Sequence, residues 1–230
     1  MSRAARALGS LPAWVWLALA ATLAGQIALR AATRPGDAER SSVPPAPSAQ
    51  ALRLASLGEP EALARVAMLY LQAFELAPAL DYPRLVGWLR SVLAIDPRNQ
   101  YPLFVAARVY AEIPDPARAR QMLEFIHEQY LLDPNRRWPW LAHAALLAKH
   151  RLRDLPLARR YAADIDRHTT AADVPLWAKQ MEVFILEDMN ELEAARVLLG
   201  GLLESGRIRD ADEARFLRHK LEELERRTRR

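Results

Sequence analysis

The chain has 230 residues, 51% hydrophobic and 26% charged, which is enough apolar material for a folded core and excludes a disordered tail. It contains no cysteine, so disulfides, thiolate catalysis and cysteine-held metals are excluded. The net charge of +4 gathers at two ends, in Arg3, Arg6, Arg30, Arg34 and Arg40 and again in Arg226, Arg227, Arg229 and Arg230. The region between is slightly acidic and offers no concentrated basic face to nucleic acid.

Residues 1–10 form a short basic stub. From Leu11 to Leu29 the sequence LPAWVWLALAATLAGQIAL carries no charge. A helix over 11–32 would rise far enough for the ~30 Å hydrocarbon core of a bilayer, with Trp14 and Trp16 near one interface. The expectation is therefore a transmembrane anchor in contact with lipid. A cleavable signal peptide shares the basic start, but Ala18-Leu19-Ala20 comes too early for a cleavage site and Arg30 spoils the later ones. Arginine replaces lysine almost throughout and alanine is abundant, a bias typical of bacterial coding. With the basic stub inside, the expected placement is a single pass through a bacterial inner membrane and a periplasmic domain. Residues 33–50, TRPGDAERSSVPPAPSAQ, are rich in Pro and Ser and read as an extended tether.

From residue 51 to 230, apolar residues recur at helical spacing, in segments punctuated by Pro, Gly or Asp-Pro. Helices are expected near 49–57, 60–76, 83–95, 100–112, 116–131, 138–151, 155–167, 174–188, 191–205 and 210–227, with Pro83, Pro102, Pro139 and Pro175 near their first turns. No segment alternates with period two for long enough to make a strand, so the fold class is all-α. The starts repeat. Tyr101-Pro102-Leu103-Phe104 matches Trp138-Pro139-Trp140-Leu141 and, more loosely, Val174-Pro175-Leu176-Trp177, so that Leu103, Trp140 and Trp177 follow one another at a constant step. Second helices repeat as well, around Ala119, Ala158 and Ala195. A helix pair seen three times is the signature of an α-solenoid, in which small residues let paired helices approach and large ones fill the space between pairs. The last helix, 210–227, places Ala214, Leu217, Leu221 and Leu224 on one face against Arg, Lys and Glu on the other, the pattern of a capping helix.

Several of these residues resemble the tetratricopeptide repeat. Leu103, Ala107 and Tyr110 followed by Ala119, Leu123 and Ile126 fit its order, and Trp140, Ala144 and Leu147 followed by Ala158 and Ile165 fit it again. Ile95-Asp96-Pro97-Arg98-Asn99 and Leu132-Asp133-Pro134-Asn135-Arg136 look like its inter-repeat turn. The resemblance implies a scaffold whose first helices line a groove for a protein partner. Carried onto this chain, the groove positions are Tyr101, Phe104, Arg108, Trp138, Leu141, Lys149 and Glu182. Aromatic side chains beside fixed cations can hold a peptide by stacking and by carboxylate contacts.

The residues give no argument for catalysis. His127, His143, His150, His168 and His219 have no helical metal-site spacing, no Gly-rich phosphate loop is present, and Gly200-Gly201 reads as a point of close helix packing. The expected function is a membrane-anchored, non-enzymatic binding scaffold with no cofactor and no metal, the partner being a protein at the membrane. The alternative is a structural subunit of a larger membrane complex, with Gly25, Ala21 and Ala18 forming a small-residue packing face.

Overall fold

The computed structural model describes residues 13–32, 43–74, 80–206, 208 and 210–228. All regular structure among these residues is helical. The chain divides into two units, Met1–Val43 with Phe74–Leu80, and Pro44–Ala73 with Asp81–Arg230.

In the first unit the principal described element is helix α1, Ala13–Ala32. The expected single-pass inner-membrane placement is corrected here, because no helix among the described residues is long and apolar enough to cross a membrane. Helix α1 as described runs from Ala13, and Arg30 falls within it. The uncharged stretch that remains rises about 25 Å against a ~30 Å hydrocarbon core, and Gly25 and Gln26 interrupt its apolar character. The stub 1–10 and residues 33–42 of the tether lie outside the described residues.

The second unit begins with Pro44–Ser48 and continues through α2 (Ala49–Ala55), α3 (Pro60–Gln72), α4 (Tyr82–Ile95), α5 (Tyr101–Val105), a π turn (Ala106–Tyr110), α6 (Pro116–Leu132), α7 (Pro134–His150), α8 (Leu155–His168), α9 (Leu176–Lys179), α10 (Met181–Asp188), α11 (Leu192–Glu204) and α12 (Ala211–Thr228). Every helix expected from the periodicity after residue 48 is present, and the reason is local. Asp81, Asp115 and Asp154 cap α4, α6 and α8 by accepting from the backbone N–H groups of Arg84, Ala117 and Leu157 at 3.1, 2.9 and 2.9 Å. Ser48 caps α2 in the same way. Proline occupies the first turn of α3 to α8 apart from the π turn, where a missing N–H costs nothing.

Two boundaries differ from expectation. Helix α7 starts at Pro134, four residues before Trp138, so Pro139 lies inside the helix and not at its opening. Near residue 180 the expected single helix is broken into α9 and α10, with Pro175 as the residue before the first. The break falls at Gln180, whose side-chain amide donates to Glu213 at 3.0 Å, a tertiary contact that no local pattern encodes.

Successive helices pack on one another: α7 on α6, α8 on α7, α10 on α8, α11 on α10 and α12 on α11, with α4 beside α6. The contacts bury Leu103, Met122, Leu123, Ile126, Leu141, Tyr161 and Ile165 completely, and the small residues Ala107, Ala119 and Ala158 allow the close approach. At the C-terminal end, Val183, Leu186, Ala195, Leu199 and Leu202 close over Leu217 and Leu224 of α12. Each fully buried Leu contributes on the order of 1.5–3 kcal/mol, and Glu187 of α10 holds α12 from the side through Lys220, at 2.9 Å, and Arg227.

The polar ties between helices share a spacing. Glu187–Lys220, Tyr130 Oη to Asp164 O, Glu124–Arg160, Arg151 to Ile113 O, Arg137 to Pro97 O and Trp140 Nε1 to Gln100 Oε1 link residues separated by 33, 34, 36, 38, 40 and 40 positions. That is the range of the sequence repeat. The arrangement is a packed set of helices compatible with a helical repeat.

Arg137 is the least expected member of the core. It is 3% exposed, yet its Nη1 donates to Gln129 O at 2.6 Å and to Gln129 Oε1 at 3.2 Å, while Nη2 donates to Pro97 O at 3.0 Å. One guanidinium thus satisfies a carbonyl in the last turn of α6 and a carbonyl of the Asp96-Pro97 turn. Burial pushes its pKa down, and Asp133 opposes the shift.

Candidate protein-binding face

The aromatic residues singled out by the repeat converge. Tyr101 and Phe104 of α5 stack with ring centroids 6.0 Å apart, and Trp140 of α7 meets Phe104 edge-on, also at 6.0 Å. Tyr101 and Phe104 are 40% and 42% exposed, so the run is open to solvent. Trp140 is half-buried and anchored by its indole N–H on Gln100. Trp138, two residues before Trp140 on α7, and Trp177 of α9 form a second edge-on pair at 5.5 Å, with Trp177 exposed. Beside Tyr101, a cleft of about 540 Å³ opens toward α3, lined by Met68, Leu69, Gln72, Arg98 and Asn99. The Gln72 amide donates to the Tyr101 hydroxyl across it.

The remaining positions are distributed differently. Leu141 is fully buried: with Arg137, Ala144, Ala145 and Ala148 it forms the core stripe of α7 and lines no groove. Arg108 lies 3.6 Å from Glu112 and Lys149 is paired with Asp188, so both expected cations are engaged within the chain. Glu182 is buried and holds Arg159 at 3.1 Å. A peptide-gripping pair of free cations is therefore not assembled by these two residues. Arg98, which is exposed, lines the cleft together with Tyr101.

Next to Arg108, the His143 ring is half-buried with Nε2 3.4 Å from Glu112. Burial and the Arg108 charge lower its pKa, and Glu112 opposes them. His127 Nε2 and Asp164 Oδ2 meet at 2.7 Å between α6 and α8. Among the described residues no group of three His, Cys, Asp or Glu side chains could hold a metal ion. Gly200 and Gly201, expected at a close approach, have no neighbour within 4 Å of an added Cβ. Gly87 is where such an approach occurs, a Cβ there lying 3.2 Å from Ala46.

Searches against family models, curated proteins and solved structures find no match to this chain.

Proposed function

We propose that this chain is a tetratricopeptide-like α-solenoid acting as a non-catalytic scaffold, and that it holds a peptide or helix of a partner protein along the aromatic face of its first helices. The observation that supports this reading best is the placement of two aromatic groups, Tyr101 and Phe104 with Trp140, and Trp138 with Trp177, α7 contributing one tryptophan to each. Large aromatics are left half-exposed at the step of the repeat, where a folded monomer gains little from them. Exposed aromatic area of this kind is typical of binding surfaces, because a rigid ring brings much contact area at small entropic cost. The nearest-neighbour polar ties would keep that face rigid, so little ordering is left to be done on binding.

The reading is tested by photo-crosslinking in cells, with benzoylphenylalanine placed singly at Phe104, at Trp177 and, as the control, at the exposed Gln121 of α6. Discrete adducts with one protein are expected from the first two positions and none from the third. Adducts equal at all three positions, or absent from all, sink the reading.

A further inference from the structure

The segment expected to be a free tether ends in a built contact. Prolines at 44, 45 and 47 fix φ near −65°, and a residue before proline is kept out of the α region, which applies to Pro44 and Ala46. Pro44 and Ala46 are thereby held to extended conformations, and Ser48, at φ −64° and ψ 150°, lies in the polyproline II region at the N-cap of α2. Polyproline II has three residues per turn, so the carbonyls of residues 44 and 47 point the same way. Both are read by α4: Trp88 Nε1 donates to Pro44 O at 2.9 Å and Ser91 Oγ donates to Pro47 O at 2.8 Å.

The receiving surface has the matching geometry. Gly87, Trp88 and Ser91 lie on one face of α4 by the helical i, i+3, i+4 rule. Between the two hydrogen bonds, Ala46 rests over Gly87, where a Cβ would come within 3.2 Å, so glycine lets the segment lie closer than a larger residue would. The Tyr70 ring of α3 stands 5.4 Å from the Trp88 ring and forms a wall beside the groove. An indole N–H aimed at a proline carbonyl, a second donor three ligand residues on, and an aromatic wall form a recognition surface for polyproline II. It reads backbone carbonyls, which any chain of the same conformation presents. Polyproline II makes no hydrogen bonds within itself, so a segment leaves such a groove without breaking secondary structure.

We propose that this face of α4 is a receptor for polyproline II segments, that Pro44–Pro47 occupy it as an internal ligand, and that a Pro-Pro-x-Pro segment of a partner protein binds there by displacing them. The site is separate from the aromatic face of α5 and α7 and stands whether or not that face binds anything. A ligand tethered by a few residues acts at an effective concentration in the mM range. If the segment itself has a Kd of about 0.1 mM for the vacant groove, an effective concentration of about 1 mM weakens any competitor roughly tenfold.

The experiment measures fluorescence anisotropy of a labelled Ser-Val-Pro-Pro-Ala-Pro-Ser peptide titrated with the full chain. The full chain carrying Pro44→Ala, Pro45→Ala and Pro47→Ala should bind the peptide about tenfold more tightly than the native chain. Adding Trp88→Phe, which keeps a ring and deletes the donor, should remove most of that binding. A peptide with all prolines replaced by glycine should not bind. Equal affinity for native and triple-variant chains, or binding that survives Trp88→Phe, overturns the proposal. Should the triple variant fail to melt cooperatively, Pro47→Ala alone gives the same comparison with a smaller gain. A native chain that dimerises by exchanging this segment, seen by light scattering, overturns the assignment to a partner protein and gives the site to a second copy.

Discussion

Arg137→Met isolates the contribution of a buried guanidinium that spans two turns. The substitution keeps the apolar stem and removes the hydrogen bonds to Gln129 O and Pro97 O. The buried carbonyl of Gln129 then loses its partner at about 1–3 kcal/mol, and the part-buried carbonyl of Pro97 loses its own at less, because water can reach it. Against this stands the desolvation cost of the guanidinium, visible in its lowered pKa and relieved by the change. The balance is a loss of about 2–3 kcal/mol, which at this chain length lowers Tm by about 4–12 °C. Arg137→Lys should fall between the two, since one ammonium on a flexible stem cannot serve both carbonyls. The assay is thermal and urea unfolding followed by far-UV circular dichroism. If Arg137→Met is as stable as the native chain, or more so, desolvation outweighs the hydrogen bonds and the reasoning fails.

Leu217→Ala and Leu224→Ala, each at a buried position of α12, should cost about 2–5 kcal/mol, and amide exchange should accelerate first in α11 and α12; uniform acceleration along the chain would contradict a locally held cap. Tyr101→Ala with Phe104→Ala removes half-exposed rings, so stability should fall by less than about 2 kcal/mol while the crosslink from position 177 weakens; loss of fold would reassign both residues to the core. His143 is held below its ordinary pKa, so the folded state binds fewer protons there than the unfolded one, and its contribution is complete above about pH 6.5 and declines as pH falls toward the lowered value. His143→Asn should therefore flatten the fall of Tm between about pH 6.5 and pH 5; an unchanged slope would clear His143 of that role.

The helices were legible because their signals are local: the 3.6-residue stripe, an Asp or Ser cap and a proline in the first turn all lie within a few residues of one another. The break at Gln180 was not, for no local signal marks it, and the side chain there makes its contact with Glu213, 33 positions away. The same division runs through the candidate face. Tyr101, Phe104, Trp138, Trp140 and Trp177 were visible as large residues recurring at a constant step. Leu141 belongs to the buried stripe of Ala144, Ala145 and Ala148, whose helical spacing points to the core where the repeat resemblance points to a groove. Arg108, Lys149 and Glu182 were placed on the groove without their partners. Lys149 meets Asp188 and Arg159 meets Glu182 only after the helices have packed. The proline-rich segment was read from composition, which fixes its conformation but says nothing of the indole N–H that receives it.

The spacing of the inter-helix ties has a consequence for how such a chain can change length. The six ties that span 33 to 40 positions each reach about one period and none of them reaches two. If the chain is the solenoid proposed above, a gene rearrangement that removes or duplicates one whole period leaves each surviving helix with a neighbour of the kind it already has. A cut of half a period would seat a second helix where a first belongs and mismatch every tie across the junction. On the proposed solenoid reading, length would change in units of one helix pair.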